Sequence, residues 1–229
     1  MKIAIIGAMD EEISFLLKNI ENYKTTNHYK YTFYEGQIFD KDVVVVKCGI
    51  GKVASGLLVS ALINYYKNID LIINVGVSGG ISDKINIGDV VVASSLKYAD
   101  VDVTIFNYDF GTIPNGPKNF VPKIEILNSL DLNQDYKLGM IISGDQFYHN
   151  KNQVDNLIES YFKNDNVLCI DMESAALAHS CWFYEVDYLA IRAISDVIGS
   201  DFQDEEYNKN LNLACRKSNL FLLEILEKI

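Results

Sequence analysis

Three acidic side chains follow apolar stretches with strand character. Glu12 comes after Lys2-Ile3-Ala4-Ile5-Ile6-Gly7, and Glu173 after Val167-Leu168-Cys169-Ile170. Asp196 comes after Tyr188-Leu189-Ala190-Ile191-Arg192-Ala193-Ile194-Ser195. In a parallel α/β sheet, ligands bind at the carboxyl ends of the strands. Carboxyl groups gathered there can act as general acid and general base on a small polar substrate, provided their surroundings separate their protonation states. Each residue also has a plainer reading. Asp10-Glu11-Glu12 reads as a solvated helix start, Glu173 as an acid favoured at a helix N-terminus, and Asp196 as a cap or turn residue. The plain reading accounts less well for Asp171, a second acid inside the strand end. Arg192 lies within an apolar strand and needs a buried partner, a carboxylate or a carbonyl.

The elements that must hold these residues show in the periodicity. Strands are predicted at 2–8, 29–38, 42–48, 70–77, 88–96, 137–144, 166–171 and 187–195. Helices are predicted at 52–66, 151–163, 173–184 and 204–228. Ile13, Leu16, Leu17 and Ile20 make the i, i+3, i+4, i+7 stripe of a further helix. The turn at Asp40-Lys41 pairs its flanking strands as a hairpin. This alternation predicts an α/β fold with a mixed, mostly parallel central sheet flanked by helices. No stretch reads as a linker, so residues 1–229 are expected to form one domain. The loop from Tyr98 to Phe120 is long and rich in aromatics, which suggests a functional or partner-binding role.

Two glycine-rich segments close strands. Gly49-Ile50-Gly51-Lys52-Val53-Ala54 matches a loose dinucleotide signature between a strand and a helix. Asp70 begins the next strand, however, where a ribose-binding acid should end it. Val46 and Val53 also break a phosphate-loop match. A tight turn that brings backbone close to a ligand is the better reading. Gly76-Val77-Ser78-Gly79-Gly80 is the second such segment, read either as a plain turn or as a place of close backbone approach.

Composition removes other classes. The net charge is −11, so the basic surface of a generic nucleic-acid binder is lacking. Hydrophobic residues make up 49% of the chain, enough for a sizeable core. The four cysteines show no C-x-x-C spacing, and the three histidines form no ligand pattern, so no metal is expected. Unpaired cysteines suit a reducing compartment, and a cytoplasmic location is expected. The first apolar run is short and meets three acids directly, unlike a signal peptide. No apolar run is long enough to suggest a membrane span.

Taken in order, several short stretches resemble the bacterial 5′-methylthioadenosine/S-adenosylhomocysteine nucleosidases, a family with the nucleoside phosphorylase fold. They are Ile5-Ile6-Gly7-Ala8-Met9-Asp10-Glu11-Glu12, Gly49-Ile50-Gly51-Lys52-Val53, Asn74-Val75-Gly76-Val77-Ser78-Gly79-Gly80, Ser143-Gly144-Asp145, Met172-Glu173 and Arg192-Ala193-Ile194-Ser195-Asp196. The resemblance covers nearly the whole chain. It implies that Glu12 activates water and that Asp196 protonates N7 of a departing adenine. Met172 and Glu173 would hold the ribose, Phe147 would stack on the purine, and the Tyr148 backbone would read the adenine edge. Val77, Ser78, Gly79, Arg192 and Ser195 complete the implied substrate site. Met9, Ile50, Val103 and Phe202 would surround the 5′-alkylthio group. Phe106 and Pro114 would reach the partner's pocket in a homodimer. No cofactor is implied, and the partners are small adenine nucleosides rather than nucleic acid or membrane.

The chain departs from the family pattern in places. Val77 stands where Ser or Thr is common, Ala99 where His follows Tyr, and Tyr148-His149 where Ile and a small residue are usual. Three alternatives share the scaffold. An aminodeoxyfutalosine hydrolase would keep the same adenine and ribose contacts. A phosphate-dependent phosphorylase would need a cationic pocket, yet Asn74-Val75 occupies the place of the family's Arg. A non-catalytic nucleoside binder should have lost Glu12 or Asp196, and both are present.

Overall fold

The computed structural model describes residues 1–81, 83 and 85–229. Its strands are β1 (Lys2–Gly7), β2 (Glu21–His28), β3 (Tyr31–Ile38), β4 (Lys41–Lys47), β5 (Leu71–Gly80), β6 (Val90–Tyr98), β7 (Lys137–Ser143), β8 (Val167–Asp171) and β9 (Asp187–Val197). The helices are α1 (Asp10–Leu17), α2 (Lys52–Tyr65), the short α3 (Glu125–Asn128), α4 (Lys151–Leu157), α5 (Ser174–Phe183) and α6 (Gln203–Lys228). A π-turn, Ile158–Phe162, extends α4, and a single 3-10 turn, Thr104–Phe106, interrupts the long loop.

The sheet order is β2-β3-β4-β1-β5-β8-β7-β6-β9, and β9 also pairs with β5. Five strands therefore close into a ring, from which β1, β4, β3 and β2 extend. β1 runs parallel to β4 and β5, β5 to β9, and β7 to both β6 and β8. The meander β2-β3-β4 and the pairings β5–β8 and β6–β9 are antiparallel. This is the expected mixed α/β architecture.

Strands covered on both faces need apolar residues at every position. In β1, Ala4 and Ile6 join the core beneath α2 and α5, with Leu58, Leu62, Leu177 and Cys181. Ile3 and Ile5 face the other layer, with Ile13 and Leu16 of α1 and Phe221, Leu222, Ile225 and Leu226 of α6. All four cysteines are buried and unpaired.

Three differences from the sequence reading matter. β2 reads as Glu-Asn-Tyr-Lys-Thr-Thr-Asn-His and has no buried position, so periodicity carries no sign of it; backbone pairing with β3 makes it a strand. β5 continues through Gly80 instead of breaking into a turn, because β9 and β8 pair with its glycine-rich end. β9 likewise runs on through Asp196. Its register against β5 slips between Ser78 and Gly79, so that Ile194 faces Ser78 while Asp196 faces Gly79. Such a bulge re-aims the side chain beside it.

Candidate active site

The run Asp10-Glu11-Glu12 divides at the start of α1. Asp10 and Glu11 face solvent, while Glu12 is buried at the third position of the helix. Its carboxylate turns back onto the backbone: Oε2 accepts from Ala8 N at 2.5 Å and Met9 N at 3.1 Å. Oε1 accepts from Val77 N at 3.0 Å. The glycine at 76 permits this approach, since a Cβ there would lie 2.3 Å from Glu12 Oε1. Burial pushes the Glu12 carboxyl upward, and Arg192 and the three amides partly offset that rise.

Asp196 is held differently. Ser195 Oγ donates to Oδ1 at 2.6 Å, and Gln203 Nε2 donates to Oδ2 at 2.7 Å. Burial again raises the carboxyl, against those two donors. The two acids are thus fixed by unlike partners: rigid backbone amides for Glu12, two side-chain donors for Asp196. Val77 and Gly79, which mark them on β5, are two residues apart, or about 7 Å along a strand.

Glu173 stands at the N-terminus of α5 and accepts from Gly51 N at 2.9 Å. The glycine turn thus presents its amide to a carboxylate of this chain. Lys52 N also donates to Asp145 Oδ1 at 2.8 Å, tying that turn to the loop after β7. Beneath Glu173 lies a fully buried ion pair, Arg192 Nε to Asp171 Oδ2 at 2.8 Å. Asn74 Oδ1 accepts from Arg192 Nη2 at 2.5 Å, and Asn74 Nδ2 donates to Ile6 O. Asp171 also accepts from Ser143 Oγ and from Ser174.

Burial, with the Asp171 charge beside it, pushes Glu173 up to about 7. A carboxyl whose folded pKa is raised stabilises the fold while protonated, below its ordinary range. It loses that contribution as pH climbs through the folded value. The interval from 4.5 to about 7 corresponds to roughly 3 kcal/mol. Glu173→Gln keeps an acceptor for Gly51 N and cannot ionise. Its melting temperature should exceed that of the parent at pH 8, with the gap closing near pH 4.5. Equal melting temperatures at pH 8 would contradict this account.

These groups meet in one half-open cavity of about 740 Å³ including its mouth. Glu12, Asp171, Glu173 and Asp196 line it with Met9, Ile50, Val77, Ser78, Gly79, Phe147, Tyr148, Met172 and Ser195. Ala8, Gln146, Ile170, Ile198 and Tyr207 complete the lining. Among the described residues that form it there is no lysine, arginine or histidine.

Some of the residues implied by the resemblance lie elsewhere. Arg192 is not in the lining, because Asp171 and Asn74 occupy its guanidinium below the cavity. Phe202 caps α6 and is 63% exposed. The lining aromatic from that helix is Tyr207, whose hydroxyl meets Met9 Sδ at 3.5 Å and whose ring packs edge-on against Phe147. Val103, Phe106 and Pro114 lie in the 99–119 loop, outside this subunit's cavity.

Tyr207 and Gln203 carry no sequence signal of their place in the site, because the segment after Asp196 matches no motif. Tyr207 at least shows as an aromatic one turn into a helix that begins beside the acid. Two of the departures from the family pattern prove to be neighbours: Tyr148 and Ala99 share a core cluster, with the Tyr148 hydroxyl 3.5 Å from Ala99 O. The small residue and the large ring complement each other in volume.

Comparison with known proteins agrees over the full length. The model of the phosphorylase superfamily matches residues 2–227. A 5′-methylthioadenosine/S-adenosylhomocysteine nucleosidase of Bacillus thuringiensis (strain Al Hakam) is 34% identical over 235 residues, covering 100% of both chains. The structure of the Streptococcus pneumoniae enzyme of that name with a transition-state inhibitor superposes with a TM-score of 0.92 at 34% identity, covering 100% of this chain and 99% of that one. The Colwellia psychrerythraea 34H enzyme in complex with adenine gives 0.91 at 32%, covering 99% and 95%.

Proposed function

The chain belongs to the phosphorylase superfamily and, within it, to the 5′-methylthioadenosine/S-adenosylhomocysteine nucleosidases, and from that premise we propose how its cavity works. It hydrolyses the N-glycosidic bond of 5′-methylthioadenosine and S-adenosylhomocysteine, releasing adenine and the 5-substituted ribose. We extend the same chemistry to 5′-deoxyadenosine, and with it a role in methionine salvage in the cytoplasm. The observation that carries the mechanism is the pair of buried carboxyl groups, Glu12 and Asp196, lining one cavity and held there by unlike partners.

Breaking the bond builds positive charge on the sugar and negative charge on the base. Asp196, whose neutral form burial favours, donates the proton that N7 of adenine needs to leave. Glu12 takes a proton from water as it attacks the anomeric carbon. Inverting glycosidases likewise divide the work between a carboxylic acid on the leaving group and a carboxylate that activates water on the opposite face of the sugar. Glu173 accepts from the ribose hydroxyls, Phe147 stacks on the purine, and the Tyr148 backbone receives the 6-amino group.

Water is favoured over phosphate by the lining itself. No cationic side chain, among the described residues, lines the cavity to hold a phosphate dianion, and the carboxylate of Glu12 that acts as base would repel one. Asn74, at the place of the superfamily's arginine, is buried beside Arg192 and unavailable to a ligand. The test is adenine release in phosphate-free buffer from 5′-methylthioadenosine and its 6-oxo analogue side by side. Full turnover of the first and failure of the second is expected, since unpaired buried acceptors reject the mismatch strongly. A requirement for phosphate, with a sugar 1-phosphate as product, would sink the hydrolase reading.

We also propose a two-fold homodimer whose cavity is completed in trans. Ile105 and Phe106 stand out from the 3-10 turn, Phe106 at 70% exposure, and Val53, Leu57 and Phe183 are exposed on α2 and α5. So much apolar surface calls for a cover, and a second copy supplies one by symmetry. Phe106→Ala should raise KM for alkylthio substrates several-fold and leave adenosine nearly unchanged. A fully active monomer in sedimentation, or equal losses on both substrates, would refute the arrangement.

A further inference from the structure

Gln203, the first residue of α6, is buried, and its carboxamide nitrogen donates to two acceptors at once. Tyr148 O lies 2.9 Å away and Asp196 Oδ2 2.7 Å. A primary amide nitrogen carries two hydrogens, so both are in use. The amide oxygen accepts from Gly199 N at 3.0 Å. Both acceptors belong to residues that line the cavity.

The exocyclic amine of adenine also carries two hydrogens, one on the N7 side and one on the N1 side. With Asp196 at N7 and the Tyr148 backbone at the far edge, the amine requires the same two oxygens that Gln203 now holds. Resting on the nucleosidase reading above, we propose that the Gln203 carboxamide is an internal place-holder for the 6-amino group. It satisfies the two buried acceptors while the site is empty, and it withdraws when the base arrives.

The connecting segment is held at Ile198, which is buried in the core with its N–H on Gly80 O, so any movement is confined to the residues between Ile198 and Gln203. Only residues 198–202 separate it from β9, and Gly199 there has φ +87°, a conformation open to glycine. A Cβ at 199 would also lie 2.3 Å from Lys151 Cβ, so the turn depends on glycine at this point. Asp201 and Phe202 are exposed, and neither anchors the segment in the core. Leaving two buried acceptors empty would be costly, which is a reason for an occupant in the resting state.

The exchange also acts on the acid. A donor to Asp196 Oδ2 favours the carboxylate, as does Ser195 Oγ; Glu206, the charged neighbour on α6, and burial oppose it. When Gln203 leaves, the 6-amino N–H replaces it as donor to Oδ2, so Gln203 sets the acidity of Asp196 in the free protein alone. The place-holder therefore tunes the free protein and has no part in the bound complex.

Gln203→Ala separates this role from that of a permanent clamp. Adenine should bind roughly 5–30-fold tighter, the worth of the two hydrogen bonds no longer broken on binding. The alkaline limb of kcat/KM, which reports the free enzyme, should move to higher pH, while that of kcat stays in place. Weaker adenine binding with a lowered kcat would overturn the proposal. Should the variant fail to fold, the native protein labelled with ¹⁵N serves instead. On titration with adenine, the Gln203 side-chain amide signals should shift and exchange faster with water. Adenine bound with those signals unmoved would overturn the place-holder alone. No adenine binding and no adenine release from 5′-methylthioadenosine would overturn the nucleosidase reading and the proposal with it.

Discussion

Asp196→Asn should lower turnover of 5′-methylthioadenosine by at least about 10²–10⁴-fold, the usual contribution of a positioned general acid, in a protein that folds as well as its parent. The surroundings of Asp196 support both halves of this expectation. The two oxygens meet one hydroxyl, Ser195 Oγ, and one amide donor, Gln203 Nε2. An asparagine can keep its oxygen on Gln203 and turn its NH₂ toward Ser195, whose hydroxyl accepts as readily as it donates. No buried donor is orphaned, so the deficit falls on the chemistry. An activated substrate gives the control. A 4-nitrophenyl 5-methylthioriboside has a leaving group that needs no proton, and Asp196→Asn should cleave it at nearly the parental rate. Parental turnover of the adenine substrate would remove Asp196 from the mechanism. Equal loss on both substrates would show that it does something other than protonate the base.

Glu12→Gln should be as severe on the adenine substrate and should not be rescued by the activated one, because water has lost its base. This variant also carries a structural cost. Glu12 accepts three backbone N–H groups, two on one oxygen and one on the other. A glutamine has one acceptor oxygen. It can face Ala8 and Met9, leaving its NH₂ against the Val77 N–H, or the reverse. Either way a buried donor loses its partner, at about 1–3 kcal/mol. Relief of the buried charge offsets part of that, since burial is the largest influence on this carboxyl. The variant should still bind substrate analogues with affinity close to the parent's. Turnover of the activated riboside at the parental rate would exclude Glu12 as the base.

Glu12 and Asp196 also show what the sequence makes legible. Wherever a residue's role depends on its own strand or helix, the pattern reveals it. The unbroken apolar run of β1 and the stripe in α1 place Glu12 at a strand-to-helix junction, and the buried arginine demands a partner, which is Asp171. Where the role depends on another segment's backbone, the pattern is silent. The amide of Val77 that receives Glu12, the register slip that sets Asp196 opposite Gly79, and the Ala99–Tyr148 match are all products of distant chain packing. Arg192 is instructive in the opposite direction. Its motif implies a ligand contact, whereas Asp171, Asn74 and the Ile191 carbonyl accept four of its five N–H groups. Gln203 and Tyr207 follow no motif, and only the course of α6 beside the cavity brings them in.

The closure of β5, β8, β7, β6 and β9 into a ring has a consequence for the behaviour of many copies together. Every described strand has a neighbour on both sides except β2. An open strand edge is the usual template for chain-to-chain pairing and fibril growth, so this molecule presents one such site. β2 is poorly suited to serve as one. Its pairing with β3 is irregular between Glu21 and Lys24, Asn22 takes a positive φ of 47°, and a lysine stands on the strand. The polar sequence that hides β2 from periodicity also keeps this edge from recruiting a neighbour's strand. A net charge of −11 adds mutual repulsion between copies. The sheet therefore offers copies of the chain little to pair with, and an association that would propagate strand by strand is disfavoured.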